Sequence, residues 1–339
     1  MSVYIIAEVG VNHNGSIEIA KELIRAAKES GCDCVKFQTF KAEDLVTDSA
    51  PKAAYQIENT KNNNETQYDM LKKLELSFQE FNELKRYCDE LGIDFLSTPF
   101  DEKSVDLLEE INVVQYKLSS GDLTNKPLLE YIAKKNKRIL LSTGMADLNE
   151  VIEAVNWIRE AGNEDIVLFH CTSNYPAPFE SVNMNAMLTL KEEFHLPIGY
   201  SDHTSGIEVS LMAVSMGATI IEKHFTLDKE MEGPDHKASI TPKEMKNMVS
   251  CIRNIEKAFG SYEKKPSEHE LQTQKVARKS LVYANDLKKG DVIKRENLIC
   301  KRPGTGIQPK YLEQLVGKKV DKDCMKNTLV SDTDFNVHN

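Results

Sequence analysis

Two lysines stand where a cation needs a partner. Lys36 lies within Cys34-Val35-Lys36-Phe37-Gln38 and Lys117 within Tyr116-Lys117-Leu118, among residues of the kind that fill strands. An unpaired ammonium in such a setting is costly. Glu8 and Asp122 could serve as counter-ions in a purely structural network. The hydroxyls of Ser97, Thr98, Ser119, Ser120, Ser142 and Ser201, each at or just after the end of an apolar run, favour a different reading, in which cations and donors converge on a phosphate or carboxylate. The same amines also admit Schiff-base chemistry. His203 follows Ser201-Asp202 and His224 follows Glu222-Lys223. If neighbouring strands carry these two imidazoles, they can hold one catalytic divalent cation with positions left open, and N/O ligation suits manganese, iron, cobalt or zinc. The other reading is two hydrogen-bonded loop histidines. His170 and His195 read as structural, whereas His13 in Asn12-His13-Asn14-Gly15 and His236 after Pro234-Asp235 fit either a turn or a site.

Such residues act together only if the fold presents them at one place. Short apolar, β-rich runs recur at 3–9, 34–37, 94–97, 114–118, 138–142, 166–170, 197–200 and 219–222. Between them, 17–30, 77–91 and 149–161 repeat apolar residues near i, i+3, i+4 and i+7, as amphipathic helices do. Strands alternating with such helices imply a parallel sheet. Eight alternations in roughly 260 residues predict an α/β chain folded as a (β/α)8 TIM barrel rather than an open doubly wound sheet. No Gly-rich dinucleotide fingerprint follows the first run. Catalytic groups of this fold project from the C-terminal ends of its strands, and here all eight ends are polar. They offer Glu8, then Lys36 and Gln38, Ser97-Thr98, Lys117 with Ser119, Ser120 and Asp122, Ser142-Thr143, His170 and Thr172, Ser201-Asp202-His203, and Glu222-Lys223-His224. An active site is expected at that mouth. The connection over 41–70 is long for a βα loop and reads as a functional lid.

Composition narrows the classes of partner. The 339 residues carry 53 acidic and 43 basic side chains, a formal net charge of −10, which disfavours nucleic acid and anionic membrane surfaces. No run approaches the ~18–20 apolar residues that span a bilayer. Glu8 interrupts the N-terminal apolar run too early for a secretory signal. The seven cysteines, Cys32, Cys34, Cys88, Cys171, Cys251, Cys300 and Cys324, are odd in number and lack paired C-x-x-C spacing, so reduced thiols and a cytoplasmic location are expected. After a last barrel helix at 242–259, the charged stretch 261–279 reads as a linker. From 280 to 339 short apolar pieces alternate with turns such as Lys289-Gly290-Asp291 and Pro303-Gly304-Thr305-Gly306. The expected organisation is a barrel over 1–260, a linker over 261–279 and a compact module over 280–339. A module that small is marginal alone and should dock on its own barrel or a partner's.

At these residues the chain resembles the sialic acid synthase family. The matching segments include Ile5-Ile6-Ala7-Glu8-Val9-Gly10-Val11-Asn12-His13-Asn14-Gly15, Val35-Lys36-Phe37-Gln38-Thr39-Phe40 and Phe95-Leu96-Ser97-Thr98-Pro99-Phe100. They continue through Tyr116-Lys117-Leu118-Ser119-Ser120-Gly121-Asp122, Leu141-Ser142-Thr143-Gly144-Met145 and His170-Cys171-Thr172-Ser173-Asn174-Tyr175-Pro176. Ser201-Asp202-His203-Thr204, Glu222-Lys223-His224-Phe225-Thr226, Gly233-Pro234-Asp235-His236 and Lys301-Arg302-Pro303-Gly304 complete a likeness that covers essentially the whole chain.

The resemblance implies condensation of phosphoenolpyruvate with an N-acetylated sugar, with phosphate released by C–O cleavage. It implies a divalent cation on the equivalents of His203 and His224, most often Mn2+, with Mg2+ or Co2+ as substitutes. It places Lys36, Thr98, Lys117, Ser120, Ser142, Ser173 and Ser201 around phosphoenolpyruvate, and Glu8, Tyr175 and Asp235 near the sugar. Catalytic roles are implied for Glu8, Asp122 and His224, although Asp122 stands where many relatives have Glu and Ser173 where some have Asn. The C-terminal module is similar to the antifreeze-like (SAF) domain, and its Arg302 is implied to reach the partner's acyl-sugar in a domain-swapped homodimer. The implied sugar is N-acetylmannosamine, giving N-acetylneuraminate. A 2,4-diacetamido-2,4,6-trideoxymannose, giving N,N'-diacetyllegionaminate, is the alternative. A Schiff-base aldolase and a non-catalytic sugar- or ice-binding protein are the more distant readings.

Overall fold

Alternate residues of a strand face opposite ways, and the barrel is built on that alternation. In the computed structural model, which describes residues 2–60, 62 and 64–335, eight parallel strands form one sheet in the order β3-β2-β1-β8-β7-β6-β5-β4. They are β1 (Tyr4–Glu8), β2 (Cys34–Thr39), β3 (Asp94–Pro99), β4 (Gln115–Leu118), β5 (Arg138–Ser142), β6 (Ile166–Cys171), β7 (Ile198–Asp202) and β8 (Ile220–His224). β3 and β4 lie side by side across the remaining seam, so the sheet is a near-closed (β/α)8 barrel, as expected. β2, β3, β6, β7 and β8 run further at their C-terminal ends than the apolar runs do. β2 continues through Gln38, paired with Thr98, to Thr39, paired with Pro99. Ladder pairing is a backbone matter, and a polar side chain that faces the barrel interior does not end a strand.

Two apolar layers follow from the alternation. One set of strand residues, including Ile5, Ala7, Phe37, Leu141, Tyr200 and Ile221, packs outward against the helices. The other set, Ile6, Cys34, Leu96, Leu140, Val167, Phe169 and Ile220, fills the barrel interior. Gly199 makes room there, since a Cβ at this position would lie 2.7 Å from the Phe169 ring. Above this interior plug, one step of two residues along β1, β2, β3, β5 and β8, the side chains turn polar at Glu8, Lys36, Thr98, Ser142 and Glu222. TIM-barrel interiors are packed in such layers.

The helices begin where the sequence supplies caps. Phe78–Leu91 opens with a reciprocal Ser77/Glu80 capping box and closes at Gly92 with φ 65°; losing such a cap costs about 1 kcal/mol. Ile17–Glu29 buries Ala20, Leu23, Ile24 and Ala27, and Leu148–Glu160 and Pro242–Phe259 carry capping boxes at Asp147/Glu150 and Thr241/Glu244. The 41–70 connection is not a featureless loop. It holds the short helices Ala42–Leu45, Ala54–Thr60 and Gln67–Lys72 and its own cluster of Val11, Phe40, Ala42, Met70, Leu71 and Leu74. A buried ion pair, Lys52 to Glu65 at 3.0 Å, ties it together. Lys61 and Asn63 of this connection lie outside the described residues.

The chain divides into two compact units, Met1–Gly260 and Ser261–Asn339. The expected linker over 261–279 contains a ten-residue helix, Glu268–Ala277, with a Ser267/Glu270 capping box and no buried residue. With no face to bury, it carries no apolar periodicity to announce it. The module beyond pairs β9 (Ser280–Tyr283) antiparallel with β10 (Leu298–Lys301) over a core that includes Leu281, Tyr283, Ile293, Leu298, Val320 and Val330. The predicted end of this module, 336–339, lies outside the described residues. All seven cysteines are free, and among the described residues no helix is long and apolar enough to cross a membrane.

Candidate active site at the barrel mouth

The polar layer above the apolar plug is an ion cluster centred on Glu222. Its Oε1 lies 3.7 Å from the Lys36 ammonium and 3.8 Å from that of Lys117, and it accepts a 3.0 Å hydrogen bond from Ser201. Lys36 also pairs with Glu8 at 2.5 Å and donates to Thr98 at 3.4 Å. Lys117 donates to the Ser142 hydroxyl and stands 5.2 Å over the Phe169 ring of the plug. Gln38 donates to Glu8 Oε1 at 2.9 Å. The sequence lists Glu222 only as one polar strand end. Its pivotal place follows from spacing, because Ile220, Glu222 and His224 share one face of β8 and Ile220 belongs to the interior plug.

Burial and charge pull these groups in different directions. Burial works against the Lys36 ammonium, but Glu222 and Glu8 outweigh it and raise its pKa. Lys117 is less well compensated: burial, helped by Lys36, lowers its pKa despite Glu222. Burial also pushes Glu222 up, yet Lys117 and Lys36 bring it below its usual value. Glu8 is raised to about 8, first by burial and then by Glu222, against the pull of Lys36. The cluster therefore contains a carboxyl that holds its proton near neutral pH and a lysine short of anionic partners.

These groups line a cavity of about 580 Å³. Ser120, Ser173 and Tyr175 line it too, with Asp235, His203 and His224. Ser120 accepts a 3.0 Å hydrogen bond from the Gly144 N–H. A Cβ at Gly144 would come within 2.4 Å of Ser173 Oγ and 2.7 Å of Ser120 Oγ, so only glycine lets these hydroxyls converge there. The insert closes another side. Tyr55 stacks on Tyr175 with centroids 5.2 Å apart, and Asn59 donates to the Pro234 carbonyl at 2.6 Å. Beside that contact, burial raises Asp235 to about 7.

His203 and His224 face each other with ring centroids 5.4 Å apart, and the Tyr175 ring lies 4.2 Å from His203. His203 Nδ1 is 2.7 Å from the Thr172 carbonyl. A carbonyl only accepts, so Nδ1 carries the proton and Nε2 keeps a free lone pair. His224 Nδ1 is buried without a hydrogen-bond partner. Burial lowers His203 to about 4 and, with His203 adding, His224 well below its ordinary value. Two neutral imidazoles, one with an orphaned nitrogen, are a donor pair suited to a divalent cation. Among the described residues no group of three or more His, Cys, Asp or Glu side chains is arranged to hold a metal. His203 and His224 are the residues that could hold a divalent cation here.

Some sequence candidates stand elsewhere. Asp122 does not line the cavity. Its Oδ2 accepts from Ser119 at 2.5 Å and its Oδ1 from Asn125 at 3.3 Å, so it holds the turn after β4. Arg302 belongs to the C-terminal unit, where its Nε donates to the Ala277 carbonyl at 3.0 Å. His170 bonds the Val182 carbonyl at 2.8 Å, and His195 ends the helix Asn185–Phe194 in a left-handed conformation. His13 accepts from the Gly15 N–H, and His236 bonds Thr226 at 2.7 Å. These four serve local structure.

Comparison with known proteins places the chain in a family. The NeuB family model matches residues 23–264 and the SAF domain model residues 278–336. The chain is 50% identical over 332 residues to the N,N'-diacetyllegionaminic acid synthase of Legionella pneumophila, covering 97% of this chain and 93% of that protein. It is 37% identical over 319 residues to human N-acetylneuraminate-9-phosphate synthase, covering 94% of this chain and 88% of that protein. The crystal structure of N-acetylneuraminic acid synthetase from Leptospira borgpetersenii superposes with a TM-score of 0.72 at 34% identity, over 80% of this chain and 90% of that one. The chain is an enzyme of the NeuB family, with a SAF domain at its C-terminal end.

Proposed function

We propose that the enzyme is a nonulosonic acid synthase that joins phosphoenolpyruvate to an N-acyl sugar, and that its sugar is a 2,4-diacetamido-2,4,6-trideoxymannose, giving N,N'-diacetyllegionaminate. The observation that carries the reaction is the pair of buried lysines bridged by Glu222 and facing two neutral histidines across one cavity. The lysines and the hydroxyls of Thr98, Ser120, Ser142, Ser173 and Ser201 suit an anion that carries both phosphate and carboxylate. The choice of sugar is supported by 50% identity to the legionaminic enzyme against 37% to the human N-acetylneuraminate-9-phosphate synthase. N-acetylmannosamine, the first of the two sugars that the resemblance implies, becomes the alternative.

In this reading Lys36 and Lys117 hold phosphoenolpyruvate so that its C3 faces the aldehyde of the open-chain sugar. C3 attacks the carbonyl carbon, and Glu8, which keeps its proton up to about pH 8, donates to the new alkoxide oxygen. Water adds to the oxocarbenium carbon at C2, and the tetrahedral adduct releases phosphate by breaking the C–O bond. A divalent cation, Mn2+ with Mg2+ or Co2+ as substitutes, would be held by His203 and His224 and would polarise the sugar carbonyl. Tyr175 and Asp235 border the sugar end, and the buried carboxyl of Asp235 is a hydrogen-bond donor below about pH 7. Asp122 acts in this scheme only by holding the turn that carries Ser119 and Ser120. A domain-swapped homodimer, in which the partner's Arg302 meets the acyl-sugar, and a cytoplasmic setting complete the proposal. They rest on the family resemblance and, for the setting, on the free thiols.

Phosphate release from phosphoenolpyruvate, measured with each sugar in turn, tests it. Higher kcat/KM with the diacetamido sugar is expected, together with loss of activity on chelation. Preference for N-acetylmannosamine would overturn the choice of sugar, and no sugar-dependent release would overturn the reaction.

A further inference from the structure

Directly behind the two histidines, on the outward face of the same strands, lies an ion pair that takes no part in the cavity. Asp202 and Lys223 are register partners on β7 and β8. Their charged groups are 2.9 Å apart, and both side chains are 0% exposed. Strand alternation dictates this placement: Ser201 and His203 face the cavity, and so do Glu222 and His224, while the residue between each pair points the other way.

Every polar atom of the pair is engaged with the chain that carries His203. Asp202 Oδ1 accepts from the Thr204 N–H at 2.9 Å and from the Thr204 hydroxyl at 2.7 Å. Asp202 Oδ2 accepts from Ser210 at 2.6 Å. Lys223 Nζ donates to the Thr204 carbonyl at 2.7 Å. The Asp202 carboxylate thus grips the chain on the far side of His203, where Thr204 bridges Ala177 in parallel and the His203 carbonyl accepts from the Ala177 N–H at 2.8 Å. Lys223, next to His224 on β8, ties that segment to the neighbouring strand.

A fully buried ion pair is weak evidence for stability, since well-packed apolar residues of similar volume often do as well or better. What it supplies is fixed geometry. We infer that Asp202 and Lys223 are positioning residues: they lock the ends of β7 and β8 together so that the imidazoles of His203 and His224 stay at one spacing, ready for a divalent cation. The inference rests on reading those histidines as a cation pair. Groups that orient a metal's ligands typically change its affinity about 10–100-fold when removed.

The test uses the full-length protein stripped of metal and titrated with Co2+, whose visible absorption reports both affinity and coordination geometry. Asp202→Asn, Lys223→Met and the double variant are compared with wild type, with thermal melts to show that each is folded. Cobalt binding about 10–100-fold weaker is expected in the folded variants, with an altered spectrum, a raised KM for the sugar and an unchanged KM for phosphoenolpyruvate. Should Lys223→Met not fold, Asp202→Asn, which keeps the side chain's volume and an oxygen facing Thr204, carries the same comparison. Unchanged cobalt affinity and spectrum in a folded variant overturns the positioning role. Failure of the wild-type protein to bind cobalt overturns instead the cation reading of the histidines on which the inference stands.

Discussion

Replacing Glu222 with Gln should make the protein less stable alone and more responsive to its anion. The substitution keeps the volume and an oxygen for the Ser201 hydroxyl, but removes the charge that lies 3.7 Å from Lys36 and 3.8 Å from Lys117. At an effective dielectric of about 20, each such contact amounts to about 4 kcal/mol of gross attraction. Desolvation offsets much of this, and breaking a buried pair typically costs a net 3–5 kcal/mol. Lys36 keeps Glu8 as a partner, which ionises more readily once Glu222 no longer repels it. The loss therefore falls chiefly on Lys117. Thermal unfolding followed by circular dichroism should show a Tm lower by roughly 10 °C, taking about 2–4 °C per kcal/mol for domains of this size. Saturating phosphoenolpyruvate should then raise the variant's Tm by more than it raises the wild type's, because the bound anion takes over the missing countercharge. An unchanged Tm, or a loss that phosphoenolpyruvate does not narrow, would refute the idea that the lysines await an anion.

The remaining expectations concern single groups around the same cavity. Asp235, raised by burial from 3.8 to about 7, stabilises the fold fully only below pH ~4, and that contribution is lost as pH rises towards 7. Asp235→Asn should match wild type in denaturant unfolding near pH 4 and exceed it at pH 8 by up to about 4 kcal/mol; equal stability at both pH values would contradict this. Gly144→Ala would push a methyl to within 2.4 Å of Ser173 Oγ, so the KM for phosphoenolpyruvate should rise at least about tenfold with little change in Tm; an unaltered KM would remove Gly144 from the anion site. Glu8→Gln should lower kcat by about 10²–10⁴-fold, and wild-type kcat should fall as pH rises through about 8; a variant with wild-type kcat would exclude Glu8 as the proton donor.

Much of the barrel is legible because alternation and helical periodicity have physical causes that leave marks in the sequence. Lys36 and Gln38, two residues apart, show which face of β2 meets the cavity, and His203 and His224 follow from the strand ends that carry them. What was hidden depends on closure in three dimensions. Glu222 reads as one polar strand end among eight until the closed barrel brings Lys36 of β2 and Lys117 of β4 to it. Asp122 reads as a site carboxylate because sequence cannot tell a side chain turned to the cavity from one that binds Ser119 and Asn125 beside it. The helix Glu268–Ala277 leaves no apolar periodicity in the sequence because it buries no face, although Ser267 and Glu270 mark its start. Tyr55 and Asn59 lie in a polar insert whose role appears only when they meet Tyr175 and Pro234.

The most direct measurement follows one oxygen atom. Phosphoenolpyruvate labelled with ¹⁸O at the bridging position between C2 and phosphorus is turned over with 2,4-diacetamido-2,4,6-trideoxymannose, and the released phosphate is analysed by mass spectrometry. C–O cleavage at this site gives labelled phosphate, equal in amount to the nonulosonic acid formed and dependent on the sugar. Unlabelled phosphate, or release that continues without any sugar, would contradict it.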